Sequence, residues 1–165
     1  MGLLTPDYTA GFFDGEGSIT YQEHPYYYKG VFRNKNFNLR VTLANTNYAI
    51  LEDMKETWGG CISGKWSTNP NAKPSWTWFL TNKQAEGFLI VVGPLLRIKQ
   101  KQFQVACEFF AWKKTPMRDR MLKLPGARGT WQRTPETLEK EAEFKARLND
   151  LNRRGNLHPA VTKEQ

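Results

Sequence analysis

Two acidic side chains stand among three glycines in the stretch YTAGFFDGEGSI, residues 8–19, of a chain whose formal net charge is +8. Upstream, Thr5-Pro6 has the form of a helix N-cap followed by proline at the first helical position, which predicts a helix from about Pro6 to Asp14 that stops at the glycines. Asp14 and Glu16 then fall at a helix C-terminus, where the backbone dipole favours Lys or Arg. Solvated turn residues would account for them. So would a second demand: Gly11 and Gly15, beside Ala10, leave one side of the helix nearly flat, and small residues at that spacing admit another backbone. If that backbone is the same helix of a second copy, a twofold axis brings two Glu16 carboxylates together. They repel unless a divalent cation bridges them, and magnesium, which takes carboxylate and phosphate oxygens, suits that position.

The elements that must hold these residues follow from periodicity. Residues 18–28 have strand-like density of Ile, Thr and Tyr, and NFNLRVTL (36–43) alternates throughout, with Phe37, Leu39, Val41 and Leu43 on one face. Helical spacing at Ile50, Leu51, Met54 and Trp58 ends at Gly59-Gly60. Strands near Cys61–Trp66 and Ser75–Thr81 are joined by a turn-rich loop, and Trp76, Trp78 and Leu80 form the second strand's apolar face. A helix from about Lys83 to Val92 ends at Gly93-Pro94. A longer one follows, with Ile98, Gln102, Val105, Phe109 and Trp112 on one stripe. Past Lys113 the chain reads as basic and irregular until Thr134-Pro135-Glu136 opens a charged helix that runs to Arg153-Arg154-Gly155. The expected class is α+β, with one domain over residues 1–155 and a loose tail over 156–165.

With 165 residues and 39% hydrophobic content, the chain can bury a core. Its longest apolar run, Phe88 to Val92, is too short to span a bilayer, and neither a membrane partner nor a secretory signal is expected. Cys61 and Cys107 fit neither a disulfide framework nor a zinc-ligand cluster. The basic excess, with a pI near 9.6, is spread along the chain and suggests a polyanionic partner.

TAGFFDGEG resembles the signature of the LAGLIDADG homing endonucleases. Ala10, Gly11, Asp14 and Gly17 stand in register with it, and Glu16 takes the second acidic position. Thr9 replaces the leading Leu, Phe12 and Phe13 replace Leu and Ile, and Gly15 replaces Ala. The element order resembles the family's α-β-β-α-β-β-α core over about residues 5–155. The resemblance implies that Glu16, with Gly15 beside it, holds the catalytic metal, with two or three Mg²⁺ ions shared between two active sites. PLLRIKQKQ (94–102) is similar to the segment that carries the family's active-site lysine and places it at Lys99, whose plain alternative is a solvated helix lysine. VTLANTN (41–47) is similar to the strand end that supplies a water-positioning side chain, which puts Asn45 in that role or as a cap for the next helix. The motif occurs once, and one-copy members of the family are homodimers. The resemblance thus implies dimerisation through residues 6–14, with Tyr8, Gly11, Phe12 and Gly15 at the interface. It also implies double-strand cleavage with short 3′ overhangs, in an intracellular setting that is an organelle or a prokaryotic cytoplasm.

A sheet with one polar face can lie in the major groove of double-stranded DNA. Alternation assigns to that face Ser18, Thr20, Gln22, His24 and Tyr26, then Asn36, Asn38, Arg40 and Thr42, with Lys65, Ser75 and Thr77 from the remaining strands. Its one candidate acid is Glu23. HPYYYKG (24–30) is expected at a hairpin tip, its tyrosines either touching DNA or stacking on one another. A strand of about 9 residues at ~3.3 Å each spans roughly 9 base pairs, so a dimer would read a near-palindromic site about twice as long. Arg118, Arg120, Lys123, Arg128 and Arg133 are expected to touch phosphates or water. The alternative is a non-cleaving member of the same fold, either a maturase that binds intron RNA or a DNA-binding regulator.

Overall fold

Thr5 caps the first helix as expected. Its hydroxyl accepts the N–H of Tyr8 at 3.3 Å, with Pro6 at the first helical position. In the computed structural model, which describes residues 3–28, 30–65, 73–123 and 131–153, helix α1 spans Pro6–Glu16. That is two residues beyond the expected end at Asp14, because Gly15 keeps a helical backbone and the stop is Gly17. The Gly17 N–H bonds the carbonyl of Phe13, and a Cβ at Gly17 would run into the Phe13 ring.

Strands β1 (Gly17–Tyr28) and β2 (Val31–Asn45) follow, then α2 (Tyr48–Trp58), β3 (Cys61–Lys65), β4 (Ser75–Thr81) and α3 (Asn82–Val92). A 3-10 turn at Gly93–Leu95 leads to α4 (Gln100–Lys113). The four strands form one antiparallel sheet in the order β1-β2-β4-β3, which gives the expected α+β class and core order. Gly59 and Gly60, at φ 77° and 89°, end α2 in a backbone region that other residues avoid.

Several boundaries differ from expectation. Ile98 lies outside α4, which begins at Gln100, and is 59% exposed; the apolar stripe that packs inward starts at Val105. The third strand begins at Cys61 as expected and is described as far as Lys65; Trp66 lies outside the described residues. Where it is described, the segment past Lys113 is not irregular: it forms α5 (Met117–Arg120) and a small antiparallel ribbon of β5 (Met121–Lys123) and β6 (Trp131–Arg133). Helix α6 (Pro135–Leu151) stops short of Arg153, and residues 156–165 lie outside the described residues. Tyr26, Tyr27 and Tyr28 belong to β1, and the turn falls beyond them, with Gly30 at φ 76°. Pro25 sits within β1 opposite Lys35, tolerated because β1 is an edge strand.

One face of the sheet carries the core. Ile19, Tyr21, Leu39, Val41, Leu43, Trp78 and Leu80 are buried there, against Phe13 of α1, Phe88, Leu89 and Val92 of α3, Phe109 of α4, and Phe144 and Leu148 of α6. The apolar periods therefore converge on a single core and leave the other sheet face free of helices. β2 pairs with β4 only over Arg40–Asn45, so the outer parts of β1 and β2 extend as a two-stranded arm. The 12 residues of β1 make it about 40 Å long, one residue more than the span expected from residues 18–28 and longer than the strand of about 9 residues used to estimate the DNA site. No helix among the described residues is long and apolar enough to cross a membrane.

Candidate functional site

Asp14 answers the question its position raises. It is buried in the last turn of α1, where the helix dipole disfavours an anion, yet its carboxylate accepts three successive backbone N–H groups. These come from Arg97 at 2.6 Å, Ile98 at 3.2 Å and Lys99 at 3.1 Å. Consecutive N–H groups entering a helix make an anion-binding concavity, and Lys99 is the N-cap of α4. The C-terminus of α1 is thereby clipped to the N-terminus of α4. Lys99 closes the clip from its other end, its Nζ donating to the backbone carbonyl of Asp14.

This clip separates the three basic residues of RIKQK. Arg97 and Lys101 are exposed, whereas Lys99 is half-buried and held against the end of α1. Burial lowers the Lys99 pKa from its ordinary value, while the negative charges of Asp14 and Glu16 pull it back up. The solvated alternative for Lys99 does not describe this arrangement. Glu16 is exposed at the same helix end, one residue from Gly15, in the turn whose carbonyls have no partner further along the helix. Asn45 is half-buried at the end of β2. Its carboxamide oxygen accepts the N–H of Asn47 at 2.8 Å, and Asn47, not Asn45, caps α2 by accepting from Ala49 at 3.1 Å.

The flat side of α1 is open. Gly11 and Gly15 are exposed, and a Cβ at either would meet nothing within 4 Å. Tyr8 is 52% exposed and stacks on half-buried Phe12 at 6.2 Å, while Phe13 points fully into the core. Thr9, where the signature has Leu, is buried with its hydroxyl satisfied: it donates to the Thr5 carbonyl at 2.9 Å and accepts from the Trp58 indole at 3.2 Å.

The helix-free sheet face carries the residues that alternation assigned to it. Ser18, Thr20, Gln22 and His24 lie opposite Thr42, Arg40, Asn38 and Asn36 across the β1-β2 ladder, with Ser75 and Thr77 on β4. Tyr26, Asn36 and Lys65 fall at outward register positions, but their side chains lie outside the described ones. Glu23 is not on this face. It shares the opposite face with Phe37 and pairs with Lys145 at 3.1 Å and Lys35 at 3.4 Å, which hold its carboxyl below its ordinary pKa. Among the described side chains the outward face therefore carries no acid. Sequence reasoning missed Phe79, Cys61 and Ser63, which share this face; the alternation in β4 around buried Trp78 and Leu80 signals Phe79.

Of the arginines expected on phosphates, Arg133 is withdrawn. It is buried to 10% exposure, its Nε 2.8 Å from one oxygen of Glu141 and hydrogen-bonded to the other at 3.1 Å. Arg120 donates through Nε to the Thr115 carbonyl at 3.0 Å and lies over the Trp112 ring. Arg118 and Lys123 are exposed, and Arg128 lies outside the described residues.

The sequence model of the family described as LAGLIDADG endonuclease matches residues 9–113. Among solved structures, the homing endonuclease I-CvuI in complex with the I-CreI target is 17% identical at a TM-score of 0.62, over 93% of this chain and 85% of that one. The archaeal intron-encoded homing endonuclease I-Vdi141I, complexed with DNA, is 19% identical at 0.64, over 91% and 85%. The LAGLIDADG homing endonuclease I-LtrWI, bound to target DNA, is 19% identical at 0.63, over 90% of this chain but 46% of its own. No curated protein sequence matches the chain. These structures share the α+β fold with its four-stranded antiparallel sheet, and the family model spans the clip, the open helix and the outward sheet face together. This chain belongs to the LAGLIDADG endonuclease family.

Proposed function

We propose that this protein is a homodimeric, site-specific DNA endonuclease that needs a divalent cation and cuts both strands of a near-palindromic target. The observation that carries the reading is the Asp14 clip, which brings half-buried Lys99 beside exposed Glu16 at the end of an open-faced helix.

The donors fit a hard cation. Glu16 offers a free carboxylate and Gly15 a last-turn carbonyl, whereas the Asp14 carboxylate is taken up by N–H groups. No group of three or more His, Cys, Asp or Glu that could hold a metal occurs among the described residues. Among the described residues, Glu16 is the free carboxylate that one chain offers at this helix end. A second Glu16 across a twofold axis, with DNA phosphate oxygens, would complete the set. Mg²⁺ bound there would supply Lewis-acid activation of the scissile phosphodiester.

Lys99, half-buried and held against the end of α1, would stabilise the charge that develops on a phosphate bound beside Glu16. The Asn45 amide, whose nitrogen has no hydrogen-bond partner among the described residues, can donate to water at the strand end. The acid-free sheet face supplies donors and acceptors to the major groove. With Glu16→Gln, cutting of a selected target should fall by three orders of magnitude or more while binding stays within about threefold. A variant that still cuts overturns the metal assignment. Tight binding of intron RNA, without cleavage of any duplex in Mg²⁺, overturns the nuclease reading.

A further inference from the structure

Arg40 stands out on the outward sheet face because two groups immobilise it and one of its donors is closed off. Its guanidinium carbon lies 3.9 Å from the centroid of the Phe79 ring, its Nη1 donates to Gln22 Oε1 at 3.2 Å, and its Nε is buried without a hydrogen-bond partner. The register explains the cluster. Arg40 lies opposite Thr20 on β1 and Thr81 on β4, so Gln22 and Phe79 are its diagonal neighbours on the same face.

This arrangement restricts what the cluster can offer a ligand. Arginine has no acceptor, so Gln22 must turn its oxygen toward it and present its amino group outward. Nε faces inward, leaving the terminal amino groups as the guanidinium's available donors. With the Gln22 oxygen turned toward Arg40, the pair presents chiefly hydrogen-bond donors outward. Such a patch suits a base edge made only of acceptors. In the major groove guanine offers that edge, N7 beside O6, whereas adenine pairs its N7 with an amino donor.

We infer that Arg40, held by Phe79 and Gln22, fixes a guanine at one position in each half of the DNA target. The inference rests on the nuclease reading above, because it needs this face in the major groove. A guanidinium already stacked and hydrogen-bonded loses little freedom on contact, which favours discrimination over plain electrostatic affinity.

The test is selection of bound duplexes from a randomised library by the full chain in Ca²⁺, followed by the same selection with Arg40→Gln and Arg40→Lys. The wild type should enrich guanine at a position where Arg40→Gln enriches adenine, glutamine being the side chain that pairs adenine's edge. Arg40→Lys should keep the salt-dependent affinity but weaken the preference there, because an ammonium neither stacks on Phe79 nor holds both acceptors in a fixed fork. In the selected site, replacing that guanine with 7-deazaguanine should weaken wild-type binding about tenfold or more and weaken binding of Arg40→Lys clearly less. A wild type that selects a defined site whose guanines are indifferent to all three changes overturns the assignment of Arg40 alone. A wild type that selects no duplex overturns the nuclease reading and this inference together.

Discussion

At the scale of single residues, the two acids of the glycine-rich stretch have opposite fates. Glu16 keeps its carboxylate free, whereas Asp14 spends both oxygens on the backbone of residues 97–99. Asp14→Asn keeps the shape but offers a single acceptor oxygen and turns an amino group toward N–H donors. It should cost about 1–3 kcal/mol of stability, the penalty for buried donors left unpaired, read from urea unfolding. Lys99 keeps the backbone carbonyl that its Nζ bonds but loses a well-matched acceptor for its N–H, so the segment that positions it loosens and the cleavage rate should drop by more than tenfold while DNA affinity changes little. Unchanged cleavage would separate the clip from the chemistry. The sequence showed Asp14 in an unfavourable place and left its role open, since partners 83 to 85 residues away leave no local trace. The outward residues were legible because alternation is a local property. Lys99 was distinguishable from Arg97 and Lys101 only by family resemblance until its burial was seen.

At the scale of elements, the long periodic strands and helices were readable, and the short ones were not. β5 and β6 have three residues each, too few to show a period, so the region between α4 and α6 read as irregular. What fixes that ribbon is a buried pair. Arg133 of β6 joins Glu141 of α6, donates to the Lys35 carbonyl of β2 and lies over the Phe37 ring, which ties the C-terminal elements to the root of the two-stranded arm. Burial raises the Glu141 pKa above its ordinary value even though Arg133, Lys113 and Arg120 pull it down. The folded state thus binds the proton more tightly than the unfolded chain does, and this group's stabilisation, full at low pH, is lost as pH rises through its folded pKa. Arg133→Met leaves the carboxylate unpaired and should cost about 3–5 kcal/mol at neutral pH, with a steeper loss as pH rises. Arg133→Met with Glu141→Leu should recover most of that loss, because both desolvated charges are gone. Urea midpoints of the single and double variants at two pH values check the cycle; equal stability for the two variants would mean that the pair is solvated in solution.

At the scale of the whole molecule, the helix that carries Glu16 faces inward and outward with different residues. Ala10 and Phe13 are packed, and a Cβ at Gly17 would strike Phe13, so folding of one chain explains these positions. It does not explain Gly11 and Gly15, where an added Cβ meets nothing and where alanine would improve helix stability by up to about 1 kcal/mol. Glycine there is a cost to the isolated chain that a second backbone can offset. Gly11→Ala and Gly11→Leu should therefore leave the thermal midpoint of dilute protein unchanged or higher. The same substitutions should weaken self-association measured by sedimentation, with Leu weakening it more than Ala because the larger side chain holds two helices further apart. Cleavage should fall in parallel with dimer content and recover partly at high protein concentration, since in the proposed dimer each Glu16 needs its twofold mate. A monomeric wild type that cuts both strands, or a Gly11→Leu variant that dimerises as well as the wild type, would place the second carboxylate somewhere other than across this helix.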